Sequence, residues 1–314
     1  MRLSRNLAGY PFRPTPEADA YSAALAMVSA KVRRVLRERE ITPRVLKSGG
    51  MEGTLRRFLS DRGFAGSRAP QEILFDEQEH VAFLIGGTDH LRITATRPGH
   101  LLTRAYEDAR RWDSALEGSL PFAVAMDFGY LATRIAEAGT AMRASLLLHL
   151  PALSEYDQVA TLSETAPRAG VRLVGVGNPH AALFLVQNEQ SIGMDEKTIL
   201  SKLEESTDSL ISYEREARAD WLSSGDQSLV HRVEHALASL RRTDPKDEDE
   251  AMRLINDVRV GVLCGLAKGV SLETLNVLFF LAQESHIYVE CNGETEGEND
   301  IKMARGSLLA KVLK

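Results

Sequence analysis

Residues 80–96 read HVAFLIGGTDHLRITAT. Residues 80–85 form a short apolar run, and 90–96 alternate in the order His-Leu-Arg-Ile-Thr. A bounded apolar run and a period-two alternation are both strand signals. The glycine pair Gly86-Gly87 lies at their junction, where freedom of φ lets the chain turn. Two adjacent strands are therefore expected, with Arg92 mounted inside the second.

Outward from this pair, Pro98-Gly99 breaks the chain before a helical pattern over 100–116. Upstream, Ala24, Leu25, Val28, Val32 and Leu36 recur at helical spacing and predict a helix over 16–40. Gly49, Gly50 and Gly53 predict a turn before a short helix over 55–59. Downstream, strands are expected over 124–126, 143–150, 171–176 and 182–187. Five or six strands among helices indicate an α/β or α+β core.

From Asp195 the pattern turns helical. One amphipathic helix is expected to about Leu222, another over 229–240, and a third from Asp244-Pro245, an N-cap followed by proline. A last strand signal sits at Ile287-Tyr288-Val289. Ser223-Ser224-Gly225-Asp226 marks an expected boundary, giving a domain over 1–222 and a helical one over 223–314.

The chain has 314 residues, 44% hydrophobic and 26% charged, the balance of a folded globular protein. Its net charge of −6 provides no general attraction for nucleic acid. Cys264 and Cys291 have neither disulfide-framework nor zinc-site spacing, and no metal site is expected. No apolar run reaches the roughly 18 residues needed to span a bilayer, and residues 1–14 lack a signal-peptide core. A soluble cytoplasmic protein without membrane or nucleic-acid partners is expected.

Several segments, taken in order, carry more specific information. Arg2-Leu3-Ser4-Arg5-Asn6-Leu7 with Tyr10-Pro11-Phe12 is the first, and Asp89-His90-Leu91-Arg92-Ile93 the second. Then come Phe128-Gly129-Tyr130-Leu131, Gly139-Thr140-Ala141-Met142-Arg143-Ala144-Ser145 and His149-Leu150-Pro151. Gln187-Asn188-Glu189-Gln190 with Ile192-Gly193, and Asp257-Val258-Arg259 through Lys268-Gly269, complete the series. In this order the motifs resemble those of the bacterial protein-arginine kinases, within the guanido-phosphotransferase family. The resemblance implies an α+β fold: a curved antiparallel sheet flanked by helices, followed by an all-α C-terminal domain. It also implies transfer of the γ-phosphoryl group of ATP, with Mg2+, to the guanidinium of a protein arginine. A protein substrate or regulatory protein partner, and homodimers, are implied with it.

Phosphoryl transfer depends chiefly on positioning and on positive charge at the migrating group. Arginine forks bind phosphate oxygens in pairs. Arg2, Arg92 and Arg143 fall where the family places phosphate-binding arginines, and Ala144 and Ser145 extend the implied nucleotide site.

The substrate side departs from the family. Its two glutamates before Asp-His align with Gly87 and Thr88, and its loop cysteine aligns with Arg134. The Pro-Thr-Asn after that cysteine becomes Ile135-Ala136-Glu137. The family's glutamate-containing loop becomes Gly175-Val176-Gly177-Asn178-Pro179-His180, and its Arg-Gly ahead of that loop has no in-register match. Asp89 and Glu137 are the nearest substitute carboxylates. A His-Leu-Ile-Ser-Pro run of the family is replaced by Gly63-Phe64-Ala65-Gly66-Ser67, and the family's Ser-Ser-Arg falls before Met1.

In the helical half, the family's Arg-Asp-x-x-Arg-Ala motif for phosphoarginine corresponds to Asn299-Asp300-Ile301-Lys302-Met303-Ala304. Asp300 is kept, both arginines are replaced, and Lys302 and Arg305 stand nearby. The expected function is a nucleotide-binding pseudokinase with a regulatory role. The alternatives are an active protein-arginine kinase with a relocated base, and a nucleotide sensor. His231 and His235, Arg33-Arg34 and Arg110-Arg111 are read as solvated helix faces, and Gly175-x-Gly177 fails the dinucleotide fingerprint.

Overall fold

The computed structural model describes residues 1–12, 18–47, 53–62, 70–76, 80–224, 227–291 and 297–313. The expected helix start at Pro16, the turn at Gly49-Gly50, the segment 63–67 and the Gly225-Asp226 break lie outside the described residues.

The first half runs β1 (Arg2–Arg5), α1 (Ala18–Arg37), β2 (Arg44–Lys47), α2 (Gly53–Asp61), β3 (Glu72–Phe75), β4 (Val81–Ile85), β5 (Leu91–Ala95) and α3 (Leu102–Glu117). Next come β6 (Val124–Ala125), β7 (Gly129–Tyr130), β8 (Met142–Arg143), β9 (Ser145–His149), α4 (Pro151–Glu155), α5 (Gln158–Thr165), β10 (Val171–Gly175) and β11 (Leu183–Asn188). The rest is helical: α6 (Glu196–Ser223), α7 (Gln227–Leu240), α8 (Glu248–Leu263), α9 (Leu272–Leu281), α10 (Glu284–Glu290) and α11 (Glu298–Val312). The class is α+β.

Six antiparallel strands pair in the order β2-β3-β4-β5-β1-β8, and three more in the order β10-β11-β9. The strand expected over 143–150 is interrupted at Ala144, where the chain passes from one sheet to the other. Asn188 bridges that junction. Its Oδ1 accepts from Ala144 N at 2.8 Å, and its Nδ2 donates to Met142 O at 3.1 Å.

Alternation along the strands sorts the large sheet into two faces. Leu3, Val81, Phe83, Ile85, Leu91 and Ile93 face a core shared with α1 and α3, in which Phe83 meets Trp112 edge-on at 5.4 Å. On the other face Ile73, Phe75, Ala82 and Leu84 pack under Leu59 of α2. The same face over β5, β1 and β8 carries the arginines. The main core continues past α6 into Leu229, Val233 and Val260, while a second core lies among α7 to α11.

Three readings are corrected. Ile287-Tyr288-Val289 is helical, within α10, because that helix buries Ser285, His286 and Ile287 against its neighbours, including α2. The helix expected from Asp244-Pro245 begins at Glu248, with Asp247 as N-cap accepting from Glu250 N at 2.7 Å. Residues 242–246 are held as a turn instead. Buried Lys246 donates from Nζ to the carbonyls of Arg242 and Asp244, both at 3.1 Å, and α11 lies so close that a Cβ on Gly306 would fall 1.9 Å from Asp244 O. Arg33 is no solvated head, since it pairs with Glu72 of β3.

At the contact of α2 with α10, Ser285 Oγ donates to Asp61 Oδ2 at 2.6 Å and Arg62 Nε donates to His286 Nε2 at 3.2 Å. Burial first, then the Arg62 charge, lowers the His286 pKa from 6.5 to about 4 against the pull of Asp61. The unfolded chain therefore takes up this proton before the folded one as pH falls. Stability is expected to decline from about pH 6.5 down to about pH 4, by up to about 1.4 kcal/mol per pH unit from this group. Urea unfolding across that window should show a slope shallower by about one proton in His286→Gln.

Candidate functional site

Arg2 of β1 lies opposite Thr94 of β5 on one side and Arg143 of β8 on the other, while Arg92 lies opposite Ser4. Paired residues share a face and alternate residues repeat it. All three expected phosphate-binding arginines therefore stand on one face of three adjacent strands. The cluster is electrostatically costly. Burial first, then Arg92 and Arg143, lowers the Arg2 pKa to about 10, against the pull of Glu137. Burial likewise lowers that of Arg92, opposed by Asp89 and Glu137 and reinforced by Arg134 and Arg143.

Arg92 has no hydrogen-bond or ion-pair partner among the described residues, although it is half-buried. The hydroxyl of buried Thr94, on the same face, is also without a partner among them. Donors left unsatisfied in this way are open to an acceptor from outside, whether water or an anion.

Glu137 supplies the carboxylate at this face. Its Oε1 accepts from Arg143 Nη2 at 2.8 Å and lies 3.5 Å from Arg134 Nη1. It ends a short turn, Ile135–Glu137, whose backbone is held by Ser191. Ser191 N donates to Ala136 O at 2.9 Å and Ser191 Oγ donates to Ala138 O at 3.0 Å. Gly139 follows at φ 91°, where a Cβ would lie 2.9 Å from Ser191 O, so the close approach depends on glycine.

Asp89 has a different role. It is buried, and its Oδ1 accepts from Asn6 Nδ2 at 2.8 Å and from Thr133 N at 2.9 Å. Asn6 Oδ1 accepts from His90 N, and His90 Nδ1 accepts from Leu7 N, both at 3.0 Å. This network ties β1, the β4–β5 turn and the 131–133 loop together. Gly87 and Thr88 lie in that turn and provide no carboxylate. Arg5 is also structural: Nη2 meets Asp113 Oδ2 at 2.5 Å, and its guanidinium stacks on Tyr130 at 3.6 Å.

Ala144 is fully buried with its N–H spent on Asn188, so it serves as the joint between the sheets. Ser145, two residues on from Arg143, is half-buried on β9. It shares a face with Leu147, 44% exposed, and, across β11, with Val174, 38% exposed. His149 ties β9 to α8 through Asn256 Oδ1 at 2.7 Å, and burial lowers its pKa to about 3.

Asp300 and Lys302 lie apart from the arginine face, in the first turns of α11. Lys302 pairs with Glu298 at 2.7 Å. Arg305 is spent on backbone carbonyls, donating to Ala282 O at 2.6 Å and Lys246 O at 2.7 Å. His231 and His235 are exposed on α7. Two clefts, of about 440 and 330 Å3, lie elsewhere, the larger lined by Arg57, Asp61, Asn178, Glu248, Asp249 and Glu284. Neither includes the arginine cluster.

Sequence reasoning missed Thr94 and the bridging role of Asn188. Strand parity with Arg92 could have found the first. The second depends on a sheet junction that periodicity does not show.

Residues 45–217, more than half of the chain, match the family description "ATP:guanido phosphotransferase, C-terminal catalytic domain". A protein-arginine kinase of Halothermothrix orenii is 27% identical over 97% of this chain and 89% of its own length. That of Halalkalibacterium halodurans is 33% identical over 67% of this chain and 60% of its own. Among solved structures, a lombricine kinase aligns with TM-score 0.58 at 16% identity, over 70% of this chain and 66% of that one. The duplicated taurocyamine kinase of Schistosoma mansoni aligns with TM-score 0.58 at 19% identity, over 68% of this chain and 32% of that one. These likenesses support the fold.

The unpartnered Arg92 yields a stability prediction. Arg92→Met removes a cation that burial disfavours more than Asp89 and Glu137 favour it, and is expected to raise unfolding free energy by about 1 kcal/mol at low salt. Urea unfolding with and without pyrophosphate checks this: the variant should be the more stable protein in plain buffer and gain less from the anion.

Proposed function

The chain belongs to the ATP:guanido phosphotransferase family, and from that premise we propose that it binds Mg-ATP or Mg-ADP through Arg2, Arg92 and Arg143 while transferring phosphate poorly or not at all. One observation carries the reading: three guanidinia share a sheet face, and the only carboxylate in contact with them, among the described residues, is itself paired with Arg143.

A protonated guanidinium is a poor nucleophile, so transfer to arginine requires a carboxylate to orient it and remove a proton. Loss of such a base costs about 10²–10⁴ in rate. Asp89 is kept from a substrate by burial, with Oδ1 taken by two hydrogen bonds and Oδ2 without a partner among the described residues. The phosphate side is a different matter, since fixed cations stabilise phosphoryl oxygens without any base. The arginines suit the phosphates, the exposed Leu147 and Val174 suit a nucleobase, and Mg2+ when bound would neutralise charge between phosphate oxygens. The expected role is regulatory, through a protein partner, with homodimers and a helical contact region over 223–314.

A second reading, active transfer to protein arginine, is favoured by the position of Glu137 at the arginine face, from which it could act as the relocated base.

Saturating Mg-ADP is expected to raise the melting temperature, by about 2.7 kcal/mol of stabilisation at a hundredfold excess over Kd, and Arg143→Ala should remove the effect. A melting curve indifferent to nucleotide would sink both readings. Labelled Mg-ATP with an arginine-rich protein should leave no acid-labile phosphate. Incorporation lost in Arg143→Ala would establish the active enzyme instead.

A further inference from the structure

Glu137 holds a place that an external anion would otherwise take. Its Oε1 accepts from Arg143 Nη2 at 2.8 Å and stands 3.5 Å from Arg134 Nη1. Its charge is also felt by Arg2 and Arg92, whose protons it helps retain. Among the described residues, Glu137 and Asp89 are the carboxylates whose charge reaches the four guanidinia, which leaves that set net positive. The turn that carries it is fastened by Ser191 and by the tight Gly139, so the backbone is fixed and the side-chain torsions are the adjustable part. Arg134 is 60% exposed at its side chain and free to reorient toward a new acceptor.

We propose that Glu137 is an internal competitor for the phosphate seat that makes the site selective for polyphosphates: a diphosphate or triphosphate displaces it from Arg143, and an orthophosphate does not. The inference rests on the nucleotide-binding reading above and adds the residue that sets its anion selectivity. An orthophosphate that takes Arg143 must break a charge-assisted hydrogen bond and gains contact with only part of the cluster. A pyrophosphate group reaches Arg2, Arg92 and Arg143 together, and the released Arg134 becomes a fourth ligand. Binding then exchanges one carboxylate for several phosphate oxygens at the same cations.

The test is isothermal titration of the full chain with orthophosphate, pyrophosphate and ADP, each with and without Mg2+, comparing wild type, Glu137→Gln and Glu137→Ala. Thermal melts of all three proteins establish that each is folded. Both variants are expected to bind pyrophosphate and ADP at least about tenfold more tightly, to bind orthophosphate measurably, and so to lose the wild type's selectivity. Arg134→Ala should weaken pyrophosphate more than it weakens orthophosphate in the Glu137→Gln background. Weaker binding in both Glu137 variants overturns the proposal, since the carboxylate would then be orienting Arg143. Weakening confined to the Mg2+ titrations overturns it in favour of a metal ligand. Wild-type binding with unchanged variants overturns this inference alone. Absence of binding by every protein to every phosphate overturns it together with the nucleotide reading.

Discussion

The register of β1 between β5 and β8 is the constraint on which the rest depends. Pairing Arg2 with Thr94 and with Arg143 places like charges on neighbouring strands, an arrangement that is destabilising by itself. It persists because the same register sends Leu3, Leu91 and Ile93 to the opposite face, into the core with α1 and α3. A slip of one residue would bury the arginines and expose the leucines. The apolar face therefore fixes the polar one. The repulsion remains among the guanidinia on that polar face.

Much of this was legible in the sequence because it depends on alternation and on ordered motifs. The strand pair around Gly86-Gly87 and the helices α1, α3 and α6 could be read directly, while the grouping of Arg2, Arg92 and Arg143 came from the resemblance of ordered motifs. Strands β1, β2 and β3 could not, being only four residues each, too short to establish a period. The helix boundary at Asp244-Pro245 failed because a good local cap was overridden by a tertiary demand: buried Lys246 takes the carbonyl of Asp244, which a helix capped there would have used for its own first bond. Ile287-Tyr288-Val289 failed for a related reason. Three β-favouring residues are too few to withstand the packing of α10.

The candidate carboxylates show the limit of proximity in sequence. Asp89 and Glu137 both lie beside vacated positions, yet their surroundings give them different chemistry. Asp89 sits in a buried network with Asn6, Thr133 and His90, where its Oδ1 ties the end of β1 to the β4–β5 turn and the 131–133 loop. Glu137 stands on a turn at the arginine face, where its charge competes or cooperates with whatever anion arrives. Neither role can be read from residue type, since both follow from which donors surround the oxygens.

Ala141 shows how strongly the site's backbone is determined. It adopts φ 48°, a left-handed conformation that costs a side-chain-bearing residue about 1–2 kcal/mol. The strain is retained because its neighbours leave no alternative. Ser4 N donates to Ala141 O at 2.9 Å from one side, and β8 must begin at Met142 to set Arg143 opposite Arg2. Backbone strain persists where the surrounding structure over-determines it. The backbone beside the arginines thus keeps its register at a residue that disfavours the conformation it requires. Under the proposed reading, such a site attracts phosphate in the ground state and lacks what would lower the barrier to transfer. Binding and turnover are separable because only interactions stronger in the transition state accelerate the reaction.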